Sequence, residues 1–498
     1  MKHLLEIAKI VTKKKVKKIE IFDDYTLQQK DSKFNEFYES LMNGAFQSDT
    51  DAAQHFYGSS SKHDKYRQLK SRFKKRLLNT LYFLDINQAS NPNYERAYYS
   101  CHKDWTLVKI LLNNKATDTA NQMARQIYTT ALKFHFSDLI VNAARTLRAQ
   151  ASADGNEKLF QEYDARCKEY LPILEAEMLS EEYLQKVELL IHSKNTSADA
   201  IQELIGTLST MSASFAAPII QYNTLLAKIA YAEWKRDYQA LNAICEEAEA
   251  YMTEYPEYYQ SNKFIFVIRK KILAIFHTNT WEDGQLLFEE YRVHFDTTEY
   301  WLTLMEYYIL FAVKQKAYGK ALELFHEVFK DKRYKKLKEA EVEKWQLIEI
   351  FLCFLQWNLG INRTKRYARF RLKRFLEEPI IVDKKKRILA VVTIIGQCLF
   401  LLEEQRLGEA FERIERLKVY LTKFLRAEEH FRSIQFIRLL QQLAKAHFDY
   451  SNIGIHQKYL IRLQETPNQY TGQLNLLEVI PYEDLWDMVL KSCAKIPQ

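Results

Sequence analysis

"YGKALELFHEVF" occupies residues 318–329 and sets Leu322, Phe325 and Phe329 three and four positions apart. That spacing lays the three side chains along one face of an α-helix, which turns once per about 3.6 residues. Seven further segments repeat a similar blend of small, aromatic and acidic residues. "YQALNAICEEAEAYM" starts at Tyr238, "WEDGQLLFEEYRVHF" at Trp281, "YARFRLKRFL" at Tyr367 and "LGEAFERIERLKVYL" at Leu407. Weaker copies start near Asp118 ("DTANQMARQIYTTAL"), Lys158 ("KLFQEYDARC") and Ala198 ("ADAIQELIGTL"). From 118 to 407 the mean step is about 41 residues, enough for two antiparallel helices that bury their faces by stacking on neighbours. The predicted fold is therefore all-α. A right-handed α-solenoid of antiparallel helix pairs spans 115–450. A basic segment (1–22) and an N-terminal helical unit (23–114) precede it, and a capping segment (451–498) follows.

The rest of the chain agrees with helices. It has 498 residues but only 11 Gly and 8 Pro, so long stretches lack the residues that break helices. The prolines read as punctuation between helices. Hydrophobic content of 47% and charged content of 27% suit a folded chain with a large core. A strand signal occurs at "KIEIF" (18–22). "TEYWLTLMEYYILFAV" (298–313) is apolar nearly all round, which predicts a helix packed on several sides. "ILAVVTIIGQCLFLL" (388–402) is 15 residues long, short of the roughly 20 that span a bilayer, and reads as a core helix. The opening "MKHLLEIAKIVTKKKVKKIEIF" lacks the uninterrupted apolar core of a secretory signal. Cys101, Cys167, Cys245, Cys353, Cys398 and Cys493 are scattered without a CxxC pair, so they read as reduced, buried thiols. A cytoplasmic location is predicted.

Two of the helical segments resemble the tetratricopeptide-repeat superfamily. "AYGKALELF" (317–325) is similar to its small-residue and aromatic pattern, and "WNLG" (357–360) followed by Tyr367 echoes its Trp, Leu-Gly and Tyr positions. The period here exceeds that family's, its Gly is usually missing, and no repeat ends with its closing Pro. The resemblance covers about 115–450 and implies a protein-binding scaffold with a protein or peptide on the concave face. The tail "LLEVIPYEDLWDMVL" (476–490) differs from the repeats. It reads as a cap for the last repeat, or as a partner-docking element carrying Leu485 and Trp486.

Motifs of chemistry are missing from the sequence. Phosphate-cradling loops need clustered glycines, and the two nearest here, Gly396 and Gly408, are 12 residues apart. No GxSxG elbow, HExxH or other metal-ligand spacing occurs among the 12 histidines. The sequence reading is a non-enzymatic protein without cofactor or metal.

Charge supplies the alternative. The net charge is +8, and it is concentrated in Lys13 to Lys18, in 62–76 and in 363–374. "NRTKRYARFRLKRF" (362–375) carries Arg363, Lys365, Arg366 and Arg369, with Tyr367, Phe370 and Phe375 interleaved. Cations can neutralise phosphates and rings can stack bases, but the same rings suit a core. The second site is the basic helix 64–84, with Tyr66, Leu69, Phe73 and Leu77 inward. Before it come a helix over 31–44 and a short helix over 48–58, capped by Ser48 or Asp49 and stopped by Gly58. "LKSRFKKRL" (69–77) resembles the recognition helix of bacterial sigma-factor and response-regulator DNA-binding domains. The lead-in from Gly58 to Leu69 is about six residues longer than that motif's turn. The resemblance implies that Lys70, Arg72, Lys74 and Lys75 meet phosphates or base edges. The other reading is a three-helix cap with a solvated basic face.

Overall fold

The structure, a computed structural model, describes residues 4, 33–43, 45–46, 48–81, 93–193, 197–256, 258, 261–296, 300–360, 370–377, 387–423, 425, 430–449, 457–466 and 477–495. Among these the chain is all-α: 85% of the residues are helical and there is no strand. The "KIEIF" segment lies outside the described residues. No helix among those described is long and apolar enough to cross a membrane.

The chain forms two compact units, Met1–Ala230 with Ala248–Phe264, and Tyr231–Glu247 with Ile265–Gln498. In the first unit the helices with described bounds begin with α1 (Lys33–Met42), α2 (Asp49–Tyr57) and α3 (Asp64–Leu81). Next come α4 (Asn93–Asn113), α5 (Thr117–Phe134), α6 (Ser137–Ala153), α7 (Glu157–His192) and α8 (Ala198–Ser214). From α4 to α8 each helix packs on the next. Ala120, Ala124, Ala131, Ala143 and Ala144 are fully buried there, and their small side chains let the helices approach closely. Pro172, expected to separate helices, instead lies inside the 36-residue α7. It is exposed, so the carbonyl left without an intrahelical donor one turn earlier can meet water.

Helices α9 (Pro218–Lys235), α10 (Tyr238–Glu254) and α11 (Ser261–Thr278) contribute residues to both units. The second unit continues through α12 (Trp281–Phe295), α13 (Trp301–Lys314), α14 (Tyr318–Lys330), α15 (Glu339–Leu359) and α16 (Leu372–Glu377). It closes with α17 (Arg387–Glu403), α18 (Leu407–Lys423), α19 (Phe431–Lys445), α20 (Gln457–Glu465) and α21 (Tyr482–Ala494). Helix α13 is buried almost all round, as its composition requires. Two glycines permit close crossings. A Cβ on Gly284 would lie 2.3 Å from the Phe311 ring, and one on Gly396 would lie 2.4 Å from Ile350.

Seven of the eight sequence segments open a helix within one residue of the predicted start: α5, α7, α8, α10, α12, α14 and α18. The start of the eighth, at Tyr367, lies outside the described residues.

One turn recurs at the helix ends. Lys115, Gly155, Arg236, Lys316 and Gln405 all sit in the left-handed region, with φ between 58° and 64°. At each, that residue's N–H bonds the carbonyl three back, and the next N–H bonds the carbonyl five residues before it, the 6→1 pattern of a Schellman cap. Thus Ala116 donates to Leu111 at 3.0 Å, Asn156 to Ala151 at 2.8 Å, Asp237 to Ala232 at 2.9 Å, Ala317 to Ala312 at 2.8 Å and Arg406 to Leu401 at 2.9 Å. Only one of the five uses glycine, although a side chain in this conformation costs about 1 kcal/mol.

Candidate functional site

The basic helix stands on a small core of its own. Ser48 caps α2 through a capping box with Asp51, and Gly58 ends it with φ 56°. Ala52 and Ala53 are fully buried, so α2 can lie close against its neighbours. Phe37 of α1 sits among Phe46, Phe56 and Phe73, with ring centroids 4.9–5.6 Å away. Tyr66, Phe73 and Leu77 point into this core from α3, while Leu69 is half-buried at its edge. Because α3 begins at Asp64, the turn after α2 is residues 58–63. The longer lead-in counted from sequence is thereby corrected: its second half is the first turn of the helix, with Asp64 supplying the acid that a helix N-terminus favours.

The four predicted contact residues divide. Lys70 is taken by its own fold. Its Nζ lies 2.6 Å from Asp49 Oδ1, and the Tyr66 hydroxyl donates to the same oxygen at 2.7 Å. Burial works against the Asp49 charge, but Lys70 and Tyr66 prevail and hold its carboxyl at about 2. Arg72, Lys74 and Lys75 are exposed and have no acidic partner among the described residues.

Arg72 and Lys75 line a groove of about 620 Å³ along α3. Lys65, Gln68, Leu69, Arg76, Asn79 and, from α2, Tyr57 complete its lining. The α3 positions are separated by one, three or four residues, so they form one stripe of the helix. Four cations and no acid therefore face one hollow. The Tyr57 ring already has partners within the fold: Lys33 Nζ sits 4.3 Å over its centroid and His63 stacks on it at 5.9 Å. Chemically, the groove is a receptor for anionic oxygens. No family model, curated protein or solved structure matches the chain.

The other predicted positions fall into two groups. Arg363, Lys365, Arg366 and Arg369 lie outside the described residues. Phe370 and Phe375 pack on Phe400, at 5.5 and 6.0 Å, so these rings serve the core. Leu485 and Trp486, read as one option for partner docking, are buried at 0% and 2% exposure. Helix α21 packs them toward α17, α19 and α20, which leaves no surface for a partner to grip. Arg432 pins this corner. It donates to Glu478 at 2.7 Å, to Glu483 at 2.6 Å and to the carbonyls of Leu463, at 2.6 Å, and Thr466.

Sequence reasoning missed Lys65, Gln68 and Asn79, although their spacing was visible. It also missed two ionisable groups drawn away from water in the first unit, one buried and one half-buried, for which the sequence carries no signal. Glu177 accepts a hydrogen bond from Ser137 at 2.8 Å, and burial pushes its carboxyl up to about 7. The Lys263 amine lies 3.4 Å from the centroid of Tyr258 and 4.8 Å from that of Tyr222, and burial lowers it to about 7.

Proposed function

We propose that this chain is a non-enzymatic interaction scaffold of tetratricopeptide-repeat-like helix pairs, whose N-terminal three-helix unit takes an anionic partner in the groove on α3. The observation that carries this reading is the groove itself: four cations, no acid, on a helix fixed by Tyr66, Phe73 and Leu77. Cations on an anchored helix cost a partner little ordering entropy. The scaffold half is supported by the shared turn. Its left-handed residues at 115 and 155 lie 40 apart and those at 236 and 316 lie 80 apart, one and two steps of a period near that read from sequence. The concave face of such an array is the surface for a protein or peptide partner. Six buried cysteines in the thiol form fit a cytoplasmic location.

The test is retention of the full chain on immobilised heparin. Reversing Lys65, Arg72 and Lys75 to Glu is compared with reversing Arg125, Lys158 and Lys491, exposed cations elsewhere. The groove variant is expected to elute at clearly lower salt than the control variant. Equal shifts would mean that net charge, not the groove, holds the polyanion, and would overturn the reading.

A further inference from the structure

Helix α7 turns a line of large apolar side chains to water. Leu171, Met178 and Leu189 are 57%, 65% and 72% exposed. They are seven and eleven residues apart, and at about 100° per residue those steps return to the same side of the helix. Glu175, Glu182 and Gln185, all exposed, fill the line between them. The six positions 171, 175, 178, 182, 185 and 189 alternate steps of four and three, the spacing of a heptad seam. The opposite side of the same stretch carries Ala176, Ser180 and Val187, which are buried. The seam is therefore the outward side of a helix that the fold already holds, and it runs for about 27 Å.

Its charge is the reverse of the chain's. The whole molecule is +8, but residues 171–190 hold five glutamates and one lysine. That lysine, Lys186, is held by Glu182 at 2.6 Å. Covering the apolar line would be favourable. The partner must also answer two carboxylates set in the seam, because a buried acid without a cation is costly. In paired helices, polar residues at seam positions choose the partner and fix its register, at a cost in stability. We infer that α7 pairs with a helix of another protein that carries apolar residues at heptad spacing, with Lys or Arg at the seam positions that meet Glu175 and Glu182. This surface lies on a different helix from the anion-binding groove and takes a partner of opposite charge, so neither depends on the other.

Two other kinds of occupant fit less well. A second copy of the chain, paired through the same line, would enclose Glu175 and Glu182 of each copy with no cation in the seam. An anionic lipid surface or a nucleic acid would be repelled by Glu175, Glu181, Glu182 and Glu188.

Fluorescence anisotropy with the full chain tests this on three labelled helical peptides of about three heptads. The first has leucine at its seam positions, except for two lysines one heptad apart that match Glu175 and Glu182. The second has glutamate in place of those lysines. The third has the composition of the first with its leucines out of register. The lysine peptide is expected to bind about tenfold tighter than either of the others. Leu171→Ser with Leu189→Ser should weaken it about tenfold, and because both side chains are exposed, the variant should melt with the parent. Glu175→Lys with Glu182→Lys should invert the choice, so that the glutamate peptide binds the tighter. Reversing Arg72 and Lys75 to Glu should leave all three affinities as they were. The pairing is overturned if the lysine peptide does not bind, or if the out-of-register peptide binds as well. It is equally overturned if the double serine variant binds like the parent, or if the charge swap leaves the choice unchanged. Should the serine variant melt early, the charge swap alone decides.

Discussion

Arg72 on α3 stands in solvent beside three other groove cations, whereas Arg432 on α19 is buried and donates to two carboxylates and two backbone carbonyls. Both are arginines on helices, yet their settings assign them opposite work. A guanidinium withdrawn from water must be matched donor by donor, because an unpaired buried charge is strongly destabilising. Arg432 meets that demand and welds α19 to the segment entering α21. Arg72 faces water, costs folding little, and keeps its donors for something outside the chain. Lys70 marks the boundary between the two settings: it shares α3 with Arg72, yet Asp49 already holds its ammonium.

The sharpest way to break this contrast is Arg432→Leu. Glu478, whose side chain is fully buried, would lose its guanidinium, at a cost of about 3–5 kcal/mol. Because the chain has two compact units, the loss should be read locally, as faster amide hydrogen exchange in α19 and α21. Trp486→Ala should cost about 3–5 kcal/mol in the same assay, as expected for a buried ring. Unchanged exchange would return Trp486 to the surface and to partner docking.

Glu177 tests the buried setting with a single charge. Its folded carboxyl keeps its proton up to about 7, while the unfolded one keeps it only to 4.5. The folded state therefore holds the extra proton between those values, and stability falls as pH rises through that window. Glu177→Gln should abolish the slope and, at pH 8, raise local stability by about 1–3 kcal/mol, measured by exchange in α6 and α7 at pH 5 and 8. Smaller again is Lys115→Gly, which relieves a left-handed side chain and should stabilise by about 0.5–1 kcal/mol in the urea midpoint. Least of all, Arg72→Ala with Lys74→Ala should leave thermal unfolding within about 0.5 kcal/mol of the parent. A larger loss would mean that the outward charges also hold the fold.

What was legible in the sequence is what depends on near neighbours. The inward stripe of α3, the Ser48 cap and the Gly58 stop all follow from residues three or four apart. Seven helix starts were visible for the same reason. Partners far apart in the chain were not. Nothing local announces that Asp49 claims Lys70, 21 residues on, or that Arg432 meets Glu478, 46 residues on. Glu177 stands in "EAEMLSEE" (175–182) with three other glutamates, and only packing decides which one loses its water. Trp486 stayed open between two readings because an aromatic residue in the tail segment suits both a cap and a docking element, and only burial separates them.

The recurring turn has a consequence for how freely its sequence can vary. Its shape is held by two backbone hydrogen bonds, and Lys, Gly, Arg, Lys and Gln occupy its left-handed position in turn. A joint specified by main chain leaves its side chains free to vary, so helix ends of unlike sequence can keep one geometry.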